Sequence, residues 1–226
     1  MSEIAANLAL VRQRIEAACR RAGRAAADVE LIAVSKLQSA ALIRQCHAAG
    51  QRAFGENYAQ ELRDKASQLA DLPDLQWHAI GPLQTNKARY LVKHAHAFHA
   101  LERTEVAQEL SRRRTGPALR CFVEVNLAAE TSKRGVAPGA IAGLLDSVRD
   151  LAGIEIVGLM CLPPLAAQAE DSRRYFRQLK ELASAHQLSE LSMGTTSDFE
   201  VAIEEGATAV RVGTAIFGER PASIEP

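Results

Sequence analysis

An alternation constrains this chain more than any other feature. Short apolar runs, several of them rich in β-branched residues, recur along it. Each is followed by a longer segment whose apolar residues fall at helical spacing. The runs predict strands at 31–36, 52–56, 76–81, 97–101, 120–126, 154–160, 188–194 and 209–213. The intervening patterns predict helices around 40–49, 58–69, 86–94, 102–114, 139–151, 170–186 and 198–205. A leading helix over 3–23 places Ile4, Leu8, Val11, Ile15 and Cys19 on one face. Strands separated by helices must pair in parallel through right-handed crossovers. Eight such strands in 226 residues predict a closed (β/α)8 TIM barrel with an extra N-terminal helix, a doubly wound open sheet being the alternative. No Pro/Gly/Ser-rich linker divides the chain, so residues 1–226 are expected to form a single domain.

Composition removes several function classes. Lys+Arg and Asp+Glu both number 27, so the formal charge is zero. A neutral chain has no long-range attraction for nucleic acid or an anionic membrane, and neither partner is expected. The triple arginine at 112–114 reads as a solvated helix end. No stretch approaches the ~18 apolar residues of a membrane span. The first helix carries Glu3 and Glu16 and lacks the unbroken apolar run of an export signal. Cys19, Cys46, Cys121 and Cys161 show no CxxC pairing and read as structural thiols of a reducing cytoplasm, the expected location.

In a barrel, chemistry gathers at the C-terminal ends of the strands. Those ends offer Lys36, Glu56 with Asn57, His78 with Gly81, Leu101 with Glu102, Asn126, Met160, Gly194 to Thr196, and Gly213 with Thr214. The last two sit in "LSMGTTSD" and "VRVGTAIFG". Glycines there expose backbone N–H groups, Thr195, Thr196, Ser197 and Thr214 add hydroxyls, and barrels often bind phosphate after strands seven and eight. Helix capping by "TTSD" would explain one residue, not this richness at two adjacent strand ends. Arg211 alternates in phase with Gly213 and so points inward, either to a carboxylate partner or to a ligand. Lys36 alternates in phase with Val34. It is either a rim lysine paired with a neighbour such as Glu56, or a partly desolvated amine able to form a Schiff base. Only six of the 27 basic residues are lysines. A lysine facing a phosphate cup suggests a phosphorylated aldehyde or ketone: pyridoxal 5′-phosphate (PLP), or a sugar phosphate in a Schiff-base aldolase. His94, His96 and His99 straddle a helix end and a strand, so no metal site is expected. Trp77 is opposite in parity to His78 and should pack outside the barrel.

Six ordered motifs, "AVSK" with "FGENYAQE", "WHAIGPLQTNK", "VNLAAETSKRGV", "GLMCLPP" and "LSMGTTSDFEVAIEEGATAVRVGTAIFG", resemble the PLP homeostasis protein family over roughly residues 5–218. Its members are also called PLP-binding proteins and are similar to the barrel domain of alanine racemase. The resemblance implies a fold-type III PLP barrel in which Lys36 carries the cofactor as a Schiff base. It implies that Gly194, Thr196, Gly213 and Thr214 hold the phosphate and that Arg211 faces the pyridine nitrogen. Asn57 and His78 would line the pocket, with Met160 against the ring. A guanidinium donating to the ring nitrogen discourages its protonation and weakens the ring as an electron sink.

The sequence departs from the family's usual pattern at Ala79, at Glu102 and at Thr195–Thr196, and "SKLQS" follows the strand where a threonine or a proline-containing segment is usual. The resemblance implies a carrier or regulator of intracellular PLP without robust turnover, with PLP-requiring apoenzymes as partners. A PLP-dependent amino-acid racemase is the alternative. Alanine racemases add a C-terminal β-domain supplying a catalytic tyrosine across a dimer, and this chain ends at Pro226, so that domain is not expected and a monomer is. Tyr58, Tyr90 and Tyr175 fall in helical patterns, which leaves no second acid or base opposite Lys36.

Overall fold

The structure, a computed structural model, describes residues 2–128, 130, 134–164 and 167–219. Among them, eight strands close into a barrel in chain order: β1 (Glu30–Val34), β2 (Ala53–Glu56), β3 (Gln76–Ala79), β4 (Ala95–Leu101), β5 (Leu119–Glu124), β6 (Ile154–Met160), β7 (Glu190–Thr195) and β8 (Ala209–Val212). Neighbours are parallel throughout, and β1 pairs with β8 to close the ring. The helices are α1 (Glu3–Arg21), α2 (Ala40–Ala48), α3 (Ala59–Gln68), α4 (Ala88–Leu91), α5 (Thr104–Arg113), α6 (Ile141–Val148), α7 (Arg173–Ala185), α8 (Phe199–Glu204) and α9 (Thr214–Phe217). The fold is the (β/α)8 TIM barrel, not the open sheet, with the N-terminal helix in place. None of these helices is long and apolar enough to cross a membrane.

Local sequence explains the elements. Ser2 caps α1 by accepting from the Ala5 N–H at 3.3 Å, and the buried stripe is Ile4, Leu8, Val11, Ile15, Ala18 and Cys19. That stripe lies against α8, α9 and α2, covering the seam where the first and last units of the barrel meet. Each fully buried side chain of this size contributes about 1.5–3 kcal/mol. Trp77 packs outside the barrel against Phe54, ring centroids 6.1 Å apart. Two differences from the sequence expectation matter. β1 ends at Val34, so Lys36 occupies a turn beyond the strand rather than its last position. The four-residue α9 was not expected.

The main core lies between the barrel and its helices. Inside the barrel the apolar filling is slight, and Ile32, Ala53 and Ala209 form a patch of their own. The pairing of β3 with β4 shifts register between Trp77 and His78, and that of β4 with β5 between Phe98 and Leu101. Such irregularities let residues at odd spacing share a face: the rings of His96 and His99 both lie beside that of His78, at 5.4 and 5.2 Å.

Candidate functional site

The turn bearing Lys36 is held from both sides. Before it, the Ser35 hydroxyl donates to Glu56 Oε1 at 2.6 Å, and the Ser35 carbonyl accepts from Lys65 Nζ at 2.6 Å. After it, the Leu37 N–H donates to Glu61 Oε1 at 2.7 Å, and Leu37 adopts φ 63°, a left-handed conformation rare for a branched residue. Lys65 ties the two sides together, donating to Glu56 and Glu61 at 2.8 Å each. Glu56 therefore pairs with Lys65 of α3. Burial pushes the Glu56 carboxyl up to about 7, and the Lys65 ammonium and Ser35 hydroxyl stop it rising further. Lys36 itself is half-buried at the barrel mouth.

On the other flank of β1, strand pairing brings the last two loops beside this turn. Gly213 approaches β1 so closely that a Cβ on it would lie 3.3 Å from the Val34 carbonyl oxygen. The Gly213 N–H donates to Thr196 Oγ1 at 3.2 Å, which joins the loops after β7 and β8. Thr214 opens α9 directly afterwards. Gly194 serves packing: at φ 90°, its Cβ would stand 2.6 Å from the Ala202 side chain and 2.8 Å from the Phe199 backbone. Asp198 accepts from the Thr195 N–H at 2.7 Å and from its hydroxyl at 3.1 Å, so the acid stitches this turn while Thr196 faces β8.

Arg211 points inward and is 4% exposed. Its guanidinium donates to Ser192 Oγ at 2.5 Å and to the Cys161 carbonyl at 3.0 Å. Neither partner is a carboxylate. Ser192 also bonds His99 Nδ1 at 2.8 Å, and His99 Nε2 meets His78 Nδ1 at 3.0 Å. Strands β4 and β7 are not neighbours, so the His99–Ser192 bond crosses the lumen. His78 thus lies inside the barrel, 1% exposed and linked to Arg211 through two side chains. Burial forces its basicity down to about 3, the neighbouring His96 and Arg120 adding to the effect, and His99 is lowered well below its ordinary value by the same burial.

Met160 ends β6, 1% exposed, with Glu124 and Ser192 opposite it in register. Asn57 follows β2 on the far flank of Lys36, its backbone so near Gly81 that a Cβ there would lie 2.4 Å from the Asn57 carbonyl. Glu124 escaped the sequence reading. It ends β5 in phase with Phe122, whose ring stacks on His99 at 4.4 Å, and so faces the mouth. Burial, with Glu102 nearby, pushes its carboxyl up to about 7, while Arg211 opposes the rise. A glutamate inside the apolar run "CFVEV" was the available signal. Glu102 is held by Arg134 and the Gly135 N–H, both at 3.0 Å. With Tyr58, Leu83, Lys87 and Arg103 it lines an open cleft of about 700 Å³ over the β2–β5 loops, beside the Lys36 mouth. Tyr58 lies in the loop after β2, at a strand end after all.

The family described as "Alanine racemase, N-terminal domain" matches residues 6–221. The chain is similar to the pyridoxal phosphate homeostasis protein of Pseudomonas aeruginosa, 46% identical over 224 residues and 97% of each chain. It is also similar to PipY of Synechococcus elongatus, solved with PLP bound: TM-score 0.84, 38% identity, covering 96% of this chain and 100% of that one. The alanine racemase of Corynebacterium glutamicum shares the fold, with TM-score 0.67 and 17% identity, covering 96% of this chain and 62% of that one. The chain belongs to the alanine racemase N-terminal domain family and, within it, to the pyridoxal phosphate homeostasis proteins.

Proposed function

We propose that this protein binds PLP as a Schiff base on Lys36 and acts in intracellular PLP homeostasis as a carrier or regulator without robust turnover. The observation that carries this reading is a convergence. The Thr196–Gly213 contact adjoins β1 at Val34, two residues before Lys36, and β8 presents Arg211 to the same lumen. These residues fit the cofactor. Lys36 offers the amine, Gly213, Thr196 and Thr214 offer N–H and hydroxyl groups to a phosphate, and Met160 offers an apolar wall. When bound, PLP supplies an aldehyde that amines capture reversibly and a ring that withdraws electrons. Arg211 stays protonated and donates only, so it opposes protonation of a ring nitrogen and mutes that withdrawal. The Ser35, Glu56, Glu61 and Lys65 contacts hold the Lys36 turn in one shape.

The reading extends to a monomer in the cytoplasm that delivers PLP to apoenzymes. Four buried, free cysteines support a reducing compartment. Wild-type protein mixed with PLP should turn yellow, and borohydride should bleach it and leave a pyridoxyl group on Lys36 in a peptide mass spectrum. Lys36→Ala should stay colourless. A colourless wild type, or label on another lysine, refutes the assignment.

Glu124 favours a second reading, a PLP-dependent amino-acid racemase, because a buried carboxyl near neutrality at the mouth can move a proton. Exchange of amino-acid α-protons with solvent separates the two. Turnover at ordinary enzymatic rates, lost in Glu124→Gln, would replace the carrier reading.

A further inference from the structure

Branched apolar side chains ordinarily fill a barrel of this kind in layers. Here the middle of the lumen is a polar chain, Arg211–Ser192–His99–His78, whose members are all 4% exposed or less. We propose that Ser192, His99 and His78 are positioning residues for Arg211, holding its guanidinium through a chain of hydrogen bonds that all point away from it.

The direction follows from donor chemistry. A guanidinium has five N–H donors and no acceptor, so Ser192 Oγ accepts at the 2.5 Å contact. Ser192 then has one O–H to give, and His99 Nδ1 at 2.8 Å is the acceptor within reach. A bare Nδ1 puts the His99 proton on Nε2, which donates to His78 Nδ1 at 3.0 Å. His78 in turn carries its proton on Nε2. That atom is buried and, among the described residues, has no hydrogen-bond partner, with Glu30 Oε1 at 3.8 Å. The reverse order would make Ser192 accept twice and leave its O–H without a purpose. It would also aim a bare nitrogen at a carboxylate. Both rings stay neutral because either imidazolium would be a desolvated cation in a lumen already holding Arg211.

At its other end the guanidinium is anchored to the Cys161 carbonyl. Two contacts, one from within β7 and one from the residue that follows β6, fix its plane. The role at the cofactor rests on the PLP reading, whereas the hold on Arg211 does not.

The experiment therefore has two arms. In PLP-free wild type, nitrogen-detected NMR should find the proton on Nε2 of both His78 and His99. The Arg211 guanidinium resonances should be resolved through slow rotation. Ser192→Ala should average those resonances and return His99 to mixed tautomers, while Ser192→Thr, which keeps the hydroxyl, restores both. In the second arm Ser192→Ala should bind PLP about tenfold more weakly and with a shifted visible band, and Ser192→Thr should recover the wild-type values. An Nδ1 proton on either ring in wild type overturns the proposal, and this measurement decides alone if Ser192→Ala does not fold. So does a folded Ser192→Ala with unchanged Arg211 dynamics. Predicted tautomers and dynamics in a wild type that binds no PLP would uphold the hold on Arg211 and sink the cofactor reading instead.

Discussion

Lys65→Met tests the energetic account of the Lys36 turn. The Lys65 side chain is 9% exposed and that of Glu56 0%, so the substitution strands a carboxylate that solvent cannot reach. It also removes the donor to the Ser35 carbonyl and to Glu61. Removing one partner of a buried ion pair costs about 3–5 kcal/mol. Proton uptake limits this cost. Glu56 already titrates up to about 7 because burial disfavours its charge, and losing the Lys65 ammonium raises it further. A carboxyl whose folded value exceeds its unfolded value of 4.5 holds its proton longer in the native state, so stability falls as pH rises through that window. In the wild type the fall ends near 7; in the variant it continues above, at roughly 1.4 kcal/mol per pH unit. At pH ~5.5 both proteins carry a neutral Glu56, and the variant should be only about 1–2 kcal/mol less stable, the worth of the lost bonds. At pH ~8.5 the gap should widen to about 3–5 kcal/mol. Urea unfolding at the two pH values measures this, and Glu56→Gln in the Lys65→Met background should flatten the pH dependence. A gap under about 1 kcal/mol, unchanged across that range, would refute the buried-pair argument.

Other outcomes follow from the same geometry. Gly158→Ala drives a Cβ to 2.0 Å from the Glu190 carbonyl oxygen across the β6–β7 seam. It should cost more than about 3 kcal/mol or prevent soluble expression, and a thermal midpoint within two or three degrees of wild type would contradict the contact. The four cysteines are buried, and burial pushes Cys46 and Cys161 up to about 12. Native protein should therefore resist a colorimetric thiol reagent that titrates all of them in denaturant. His78 falls to about 3 in the native state, so the unfolded chain takes up its proton first as pH drops below 6.5. Stability from this residue is lost at roughly 1.4 kcal/mol per unit between 6.5 and 3. His78→Gln should show a shallower acid limb in urea titrations, and an identical limb would contradict the assignment.

The sequence made most of the barrel legible, because strand and helix periods differ and every unit repeats the contrast. The α1 stripe, the outward Trp77 and the inward Arg211 all followed from periodicity. Parity counting failed where the backbone departs from regularity. β1 ends at Val34, and the turn through Lys36 and Leu37, the latter at positive φ, lies where the alternation was extended. The register shifts flanking β4 bring His96 and His99, three residues apart, to the same neighbour, His78, which strict alternation along one strand would not do. The Glu56 partner was missed for another reason. Lys65 reaches back from α3, and a contact between a helix and the strand before it leaves no mark on local patterning. The strand predicted over 120–126 runs two residues beyond the true end of β5, which hides Glu124 inside it.

The pairing of β1 with β8 has a bearing on biosynthesis. Ala33 faces Val212 in register, so the two sides of the proposed site are joined by the first and last strands to leave the ribosome. Lys36 is synthesised early and then waits for Arg211 and Gly213. On the proposed reading, a nascent chain holding only the early units has an amine but nowhere to seat a phosphate. Ligand capture then belongs to the finished ring, and binding energy accrues to the closed state over every partly assembled one. A cofactor that scavenges exposed amines would meet a committed pocket only once synthesis is nearly done.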